Sequence, residues 1–126
     1  MITVGPRMLG GKMVTDYVPT MCMHCAKPPC IDACPTNAIT KRADGVVTID
    51  DELCNGCMAC IPACPFAALQ YDSKKSVVDK CNMCLDRIEK GLQPACVQAC
   101  PAEAIYFGET NDIIRQMQQQ RAAASL

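Results

Sequence analysis

The sequence predicts a small α+β fold of short β-hairpins and single helical turns, with little hydrophobic core. Three observations predict it. Twelve of the 126 residues are cysteine, while Trp is absent and only two Phe and three Tyr occur. The cysteines form three imperfect repeats, each ending in Cys-Pro. The segments between repeats are rich in β-prone residues and turn formers.

A chain this short, with so few large apolar side chains, needs cross-links or metal to hold it together. Disulfides require an oxidising compartment. Residues 1–12 show no charged region followed by an apolar core, so no secretory signal is read and a cytoplasmic location is expected. The most apolar stretch, residues 58–69, is too short for a membrane span and is broken by Pro62 and Pro65. An even number of cysteines in such a chain points to metal. The formal charge of −1 gives no reason to expect a nucleic-acid partner.

Residues 1–20 carry no cysteine and three glycines, and read as a tail or as an arm that lies on a partner. Residues 21–80 hold two repeats. The first runs Cys22-Met-His-Cys25-Ala-Lys-Pro-Pro-Cys30-Ile-Asp-Ala-Cys34-Pro35, the second Cys54-Asn-Gly-Cys57-Met-Ala-Cys60-Ile-Pro-Ala-Cys64-Pro65. Each Cys-x-x-x-Cys-Pro end predicts one helical turn, stopped because proline disfavours helix in the residue before it. Residues 38–50 predict a hairpin about Asp44-Gly45, and residues 69–79 a second about Ser73-Lys-Lys. Residues 81–108 form the third unit, with Cys81 and Cys84, then Cys96 and Cys100 before Pro101. Residues 84–90 predict a short helix ended by Gly91. Ile105-Tyr-Phe predicts a last strand, and residues 111–124 a C-terminal helix capped by Asn111. Its Ile113, Ile114 and Met117 share one apolar face.

Cys-x-x-Cys puts two sulfurs on one tight loop, and a third cysteine a few residues on completes one face of a cubane cluster. Residues 54–65 match the bacterial ferredoxin run Cys-x2-Cys-x2-Cys-x3-Cys-Pro throughout, and in that run the fourth cysteine ligates the other cluster. The first repeat matches with two extra residues before its third cysteine. One [4Fe–4S] cluster is therefore expected on Cys22, Cys25, Cys30 and Cys64, and a second on Cys54, Cys57, Cys60 and Cys34. The body is expected to be ferredoxin-like.

Cys81, Cys84, Cys96 and Cys100 remain for a third site. A third [4Fe–4S] cluster is expected there, because the tail after Cys100 resembles the other two cluster tails. A structural Zn²⁺ on four thiolates is the alternative, which would make the set two clusters and one zinc. His24, the only histidine, either fills space beside the first cluster loop or tunes that cluster through a hydrogen bond. Lys41-Arg42 and Lys74-Lys75 read as solvated positions available for docking. Three loaded clusters would carry the net charge to about −7, so a partner surface with basic character is expected.

Residues 21–108 resemble the polyferredoxin electron-transfer subunits of multi-subunit redox enzymes. Those include the beta subunits of dimethyl-sulfoxide-reductase and formate-dehydrogenase types, and the small subunits of hydrogenase, carbon monoxide dehydrogenase and tungsten aldehyde oxidoreductase systems. The resemblance implies a non-catalytic subunit that passes single electrons between a large catalytic subunit, of molybdenum- or tungsten-pterin type, and a second redox partner such as a ferredoxin-like or flavin subunit. Such subunits usually carry a further four-cysteine run at the N-terminus. Its lack here implies three clusters rather than four, with a self-sufficient last unit. A free, diffusing polyferredoxin is the nearest rival.

Overall fold

The structure of the chain, a computed structural model, describes residues 2–18 and 20–124. Packing divides the chain into Met1–Asn82 and Met83–Leu126. The first unit is α+β and ferredoxin-like. It contains strands β1 (Ile2–Leu9) and β2 (Lys12–Val18), helical turn α1 (Pro29–Asp32), β3 (Ile39–Lys41), β4 (Val47–Ile49), α2 (Cys60–Ala63), β5 (Gln70–Asp72) and β6 (Val77–Asp79). The strands form three separate antiparallel pairs, β1–β2, β3–β4 and β5–β6.

The β3–β4 hairpin pairs Ile39 with Ile49 and Lys41 with Val47. Its turn is built by Asp44 and Gly45. Asp44 Oδ1 accepts from the Val46 amide at 3.1 Å, and Gly45 takes φ +87°, which a side chain would strain. The β5–β6 hairpin pairs Gln70 with Asp79 and Asp72 with Val77. Asp72 Oδ1 accepts from the amides of Lys74 and Lys75 and closes that turn. The core of this unit is small: Ile39, Val47, Leu69 and Val78 pack with the cysteines Cys30 and Cys60. Val47 and Val78 are its most buried side chains, each 1% exposed.

Residues 2–18, read from the sequence as a tail or an arm, form a hairpin. Gly10 and Gly11 make its turn, both at positive φ as a two-residue hairpin loop requires. The register slips between Val4 and Arg7, where Pro6 cannot donate to the ladder. Met8, Leu9, Met13 and Tyr17 are exposed.

The second unit holds α3 (Leu85–Ile88), α4 (Ala95–Gln98) and α5 (Thr110–Ala124). Gly91 ends the α3 turn at φ +72°, with its amide on the Ile88 carbonyl. Arg87 bridges α3 and α4, its Nε donating to the Gln93 carbonyl at 2.9 Å and its Nη2 to Gln98 Oε1. Two expectations are corrected here. Residues 105–107 form no strand, because the chain turns into α5 and offers no following strand to pair with. Asn111 lies inside α5 and does not cap it: the helix begins at Thr110, with the Asp112 and Ile113 amides on the Glu109 carbonyl. Ile113 is half-buried, while Ile114 and Met117 are exposed. Among the described residues no helix is long and apolar enough to cross a membrane.

Candidate metal centres

The threefold repeat of the sequence is also a repeat of backbone conformation. The second residue between the first two cysteines is left-handed in every unit: His24 at φ +42°, Gly56 at +69° and Met83 at +61°. The third residue after each terminal cysteine is left-handed too: Asn37 at +52°, Ala67 and Glu103 at +49°. Each of these residues donates its amide to the carbonyl of the terminal cysteine, at 3.4, 3.3 and 3.2 Å. Each terminal cysteine donates its own amide three residues back, to Ile31, Ile61 and Val97. One helical turn and one tight reversal thus carry the sulfur in all three units.

That reversal folds amide groups towards the sulfur. Burial alone would raise the Cys34 thiol. The Thr36 hydroxyl and the amides of Ala38, Thr36 and Ile39 outweigh it and hold the thiol below its ordinary range. Cys100 is held low by the Ala104 amide, which lies 3.4 Å from its Sγ; slight burial opposes this, and the amides of Ala102, Ile105 and Glu103 add to it. Cys54 Sγ accepts from the Val78 amide of β6 at 3.5 Å. Backbone donors of this kind favour thiolate, the form that binds metal.

Two cavities lie in the first unit. One, of about 350 Å³ including its open mouth, is lined by Cys22, Cys25, Cys30 and Cys64, with His24, Val47, Leu69 and Lys80. The other, of about 280 Å³, is lined by Cys34, Cys54, Cys57 and Cys60, with Thr36, Ile39, Ile49 and Val78. Cys22, Cys25, Cys30 and Cys64 thus share one lining, and Cys34, Cys54, Cys57 and Cys60 the other. Burial raises the Cys30 thiol; Lys80 works against this, while the Cys22 and Cys64 sulfurs add to it. Burial also raises Cys60, with its own backbone opposing and Cys34, Cys30 and Cys54 adding to the rise. Four cysteine sulfurs line each cavity with no carboxylate among them, a soft donor set whose chemistry fits an iron–sulfur cluster.

The chain belongs to the 4Fe-4S dicluster domain family. The family profile matches residues 13–110, which include all twelve cysteines. The B subunit of the sulfite dehydrogenase of Allochromatium vinosum is 45% identical over 105 residues, covering 78% of this chain and 44% of that protein. The B subunit of the anaerobic dimethyl sulfoxide reductase of Haemophilus influenzae is 41% identical over 110 residues, covering 87% and 54%. The B subunit of the polysulfide reductase of Wolinella succinogenes is 41% identical over 110 residues, covering 86% and 58%. The chain spans about half the length of these curated relatives. Its family is one of [4Fe–4S] cluster domains, and [4Fe–4S] clusters are its cofactors.

Several side chains around the centres carry roles that spacing does not reveal. Lys41, a solvated position by its sequence context, donates its Nζ to the carbonyls of Cys25 and Ala26 at 2.9 and 3.0 Å and so braces the first cysteine loop. Arg42 pairs with Asp44 at 3.1 Å and Lys75 with Asp51 at 3.3 Å. Lys80, which no sequence pattern marks, reaches from the end of β6 to the Val47 carbonyl and to the Cys81 carbonyl at 2.8 Å. Cys81 lies in the first unit; Cys84, Cys96 and Cys100 lie in the second.

Proposed function

We propose that this chain is an electron-transfer subunit carrying three [4Fe–4S] clusters, relaying single electrons between a catalytic molybdenum- or tungsten-pterin subunit and a second redox partner. The observation that carries the reading is the crossed cysteine lining of the two cavities. Cys64 of the second repeat lies with Cys22, Cys25 and Cys30, and Cys34 of the first with Cys54, Cys57 and Cys60. The first cluster would sit on the former set and the second on the latter. Exchanged ligands of this kind knit two clusters into one body, where an electron can pass between them.

The third cluster would take Cys81, Cys84, Cys96 and Cys100. Support comes from the backbone of that unit, which repeats the left-handed residue after Cys100 and the amide cradle on its sulfur. The catalytic partner is inferred from relatives that are B subunits of a sulfite dehydrogenase, a dimethyl sulfoxide reductase and a polysulfide reductase. The cluster-bearing body is residues 21–80, the third unit residues 81–108. Residues 1–20 and 109–126 would serve as an arm and a helix for docking, in a cytoplasmic complex.

When bound, the clusters supply one-electron chemistry. The chain's residues would hold them and set their surroundings. Iron, sulfide and zinc per chain, on protein purified without oxygen, test the reading. About 12 iron and 12 sulfide support it. About eight iron with one zinc would overturn the third cluster and make the last four cysteines a structural clip.

A further inference from the structure

The two cavities can be compared position by position, because the repeats that build them exchange roles. Val47 in the first lining answers to Val78 in the second, and Leu69 to Ile39. Two positions break the symmetry. The left-handed residue of the cysteine loop is His24 in one repeat and Gly56 in the other. The residue two places beyond the buried valine is Lys80 in the first lining and Ile49 in the second.

Where the loop has Gly56, the strand amide of Val78 reaches the Cys54 sulfur. Where it has His24, the equivalent Val47 amide donates to the ring Nδ1 instead, at 2.9 Å. An accepting Nδ1 carries no proton, so the neutral ring carries its proton on Nε2. Nε2 is buried and has no hydrogen-bond partner among the described residues. A buried donor left without a partner is costly, and the cavity beside it is lined by four cysteine sulfurs. Lys80 is held beside the same cavity by two backbone carbonyls. Among the described residues, no charged side chain and no histidine lines the other cavity.

We infer that His24 and Lys80 raise the electron affinity of the cluster on Cys22, Cys25, Cys30 and Cys64 over that of the cluster on Cys34, Cys54, Cys57 and Cys60. His24 donates its Nε2–H to a sulfur of that cluster, and Lys80 places a positive charge beside it. This rests on the cluster reading given above. Reduction adds one electron and one negative charge, which a nearby cation and an aimed N–H stabilise more than they stabilise the oxidised state. The second cluster keeps its neutral donors, the Val78 amide on Cys54 and the Thr36 hydroxyl on Cys34, whatever stands at positions 24 and 80.

The test is an anaerobic redox titration of the full chain followed by electron paramagnetic resonance, with ¹⁵N-histidine incorporated. The sequence has one histidine, so any ¹⁵N coupling reports His24. The expected result is a ¹⁵N coupling on one reduced cluster only. Lys80→Met should lower the reduction equilibrium of that component about tenfold, or about 59 mV for a one-electron couple, and leave the cluster on Cys34, Cys54, Cys57 and Cys60 in place. His24→Asn keeps an acceptor near Nδ1 for the Val47 amide but has no donor where Nε2 stood. It should lower the same component about threefold. His24→Gln, whose amide nitrogen reaches the Nε2 position, should restore most of the loss. Absence of ¹⁵N coupling on every reduced cluster, or variants that move no midpoint or all midpoints alike, overturns the inference. Iron and sulfide measured on the same samples separate the two levels. A wild-type chain without clusters would sink the cluster reading and this inference with it, whereas loaded variants with unmoved midpoints would sink the inference alone.

Discussion

Gly56→Ala probes the tightest point of the second cysteine loop. A Cβ at Gly56 would sit 2.4 Å from the Ser76 carbonyl oxygen and 3.3 Å from Tyr71 Cε2. The residue also stands at φ +69°, where a side chain costs about 1–2 kcal/mol. The clash cannot be relieved by a rotamer, because its partner is backbone. Ser76 leads directly into Val77 and Val78, which are 6% and 1% exposed, so its carbonyl moves only by disturbing the core. Overpacking of this kind adds about 1–3 kcal/mol. Gly45→Ala isolates the second contribution: Gly45 stands at φ +87° with nothing within 4 Å of its Cβ position. The two variants share the conformational cost, and an excess of about 2 kcal/mol belongs to the clash in Gly56→Ala alone. A chelator reaches iron through locally opened protein, so in the fast-closing regime the rate of cluster bleaching scales with the opened population. Bleaching near 400 nm under anaerobic chelation should therefore run about thirtyfold faster in Gly56→Ala than in Gly45→Ala. Rates within twofold of each other would refute the reasoning.

Removing the metal should collapse far-UV circular dichroism, because the packed core is only a handful of side chains and the ligands supply the folding energy; a native spectrum from iron-free protein would contradict this. Leu69→Ala, at a 4% exposed core position lining the first cavity, should cost about 2–4 kcal/mol and speed bleaching by tenfold or more, measured in the same chelation assay. The pH dependence follows from His24, whose folded value is lowered from 6.5 to about 4. Between those values the unfolded chain binds a proton that the folded chain refuses, so stability falls as pH drops from about 6.5 towards 4 and is unaffected by this group above 6.5. The ring is only half-buried, and screening leaves about 1 kcal/mol of the effect. Bleaching between pH 7 and 5 should accelerate about fivefold more in the wild type than in His24→Asn, and equal slopes would count against it.

Local chemistry was legible in the sequence, and long-range chemistry was not. The β3–β4 turn could be read because Asp44 and Gly45 do their work within two residues. The helical turns before Pro35, Pro65 and Pro101 could be read for the same reason. The N-terminal hairpin carried a sign in Gly10-Gly11, but the register slip between Val4 and Arg7 broke the alternation that marks a strand. Lys41 could not be assigned, since its partners Cys25 and Ala26 lie in another loop. The same holds for Lys80, which spans from β6 to Val47, and for the ring of His24, whose acceptor role is defined by an amide 23 residues away. Cysteine spacing selects the two sets of sulfurs; the polar groups that make the two linings unequal come from strand pairing, which spacing does not encode.

The repeated strain is the reason the metal and the fold are inseparable here. Eight described residues other than glycine stand at positive φ: His24, Asn37, Met58, Ala67, Ser76, Met83, Cys84 and Glu103. Asn and His tolerate that region better than most, and for the other six the cost is about 1–2 kcal/mol each. Summed, this is on the order of the whole stability of a small domain. The strained residues are not scattered. Four are in or beside the Cys-x-x-Cys loops, and three are in the reversals that turn amides towards a terminal cysteine. Strain persists where surrounding structure over-determines it, and the described core, which holds no side chain larger than Leu or Ile, is too small to do so alone. The sulfurs those loops present must therefore be tied to something that returns more than the strain costs. A bound metal site is worth on the order of 10 kcal/mol in small metal-folded domains. The third unit carries the same two strained positions, Met83 and Glu103, and among its described residues only Pro94 is buried. With the proposed cluster on its cysteines, it would depend on that metal more than the first unit does, and should be the first to lose order when metal is withdrawn.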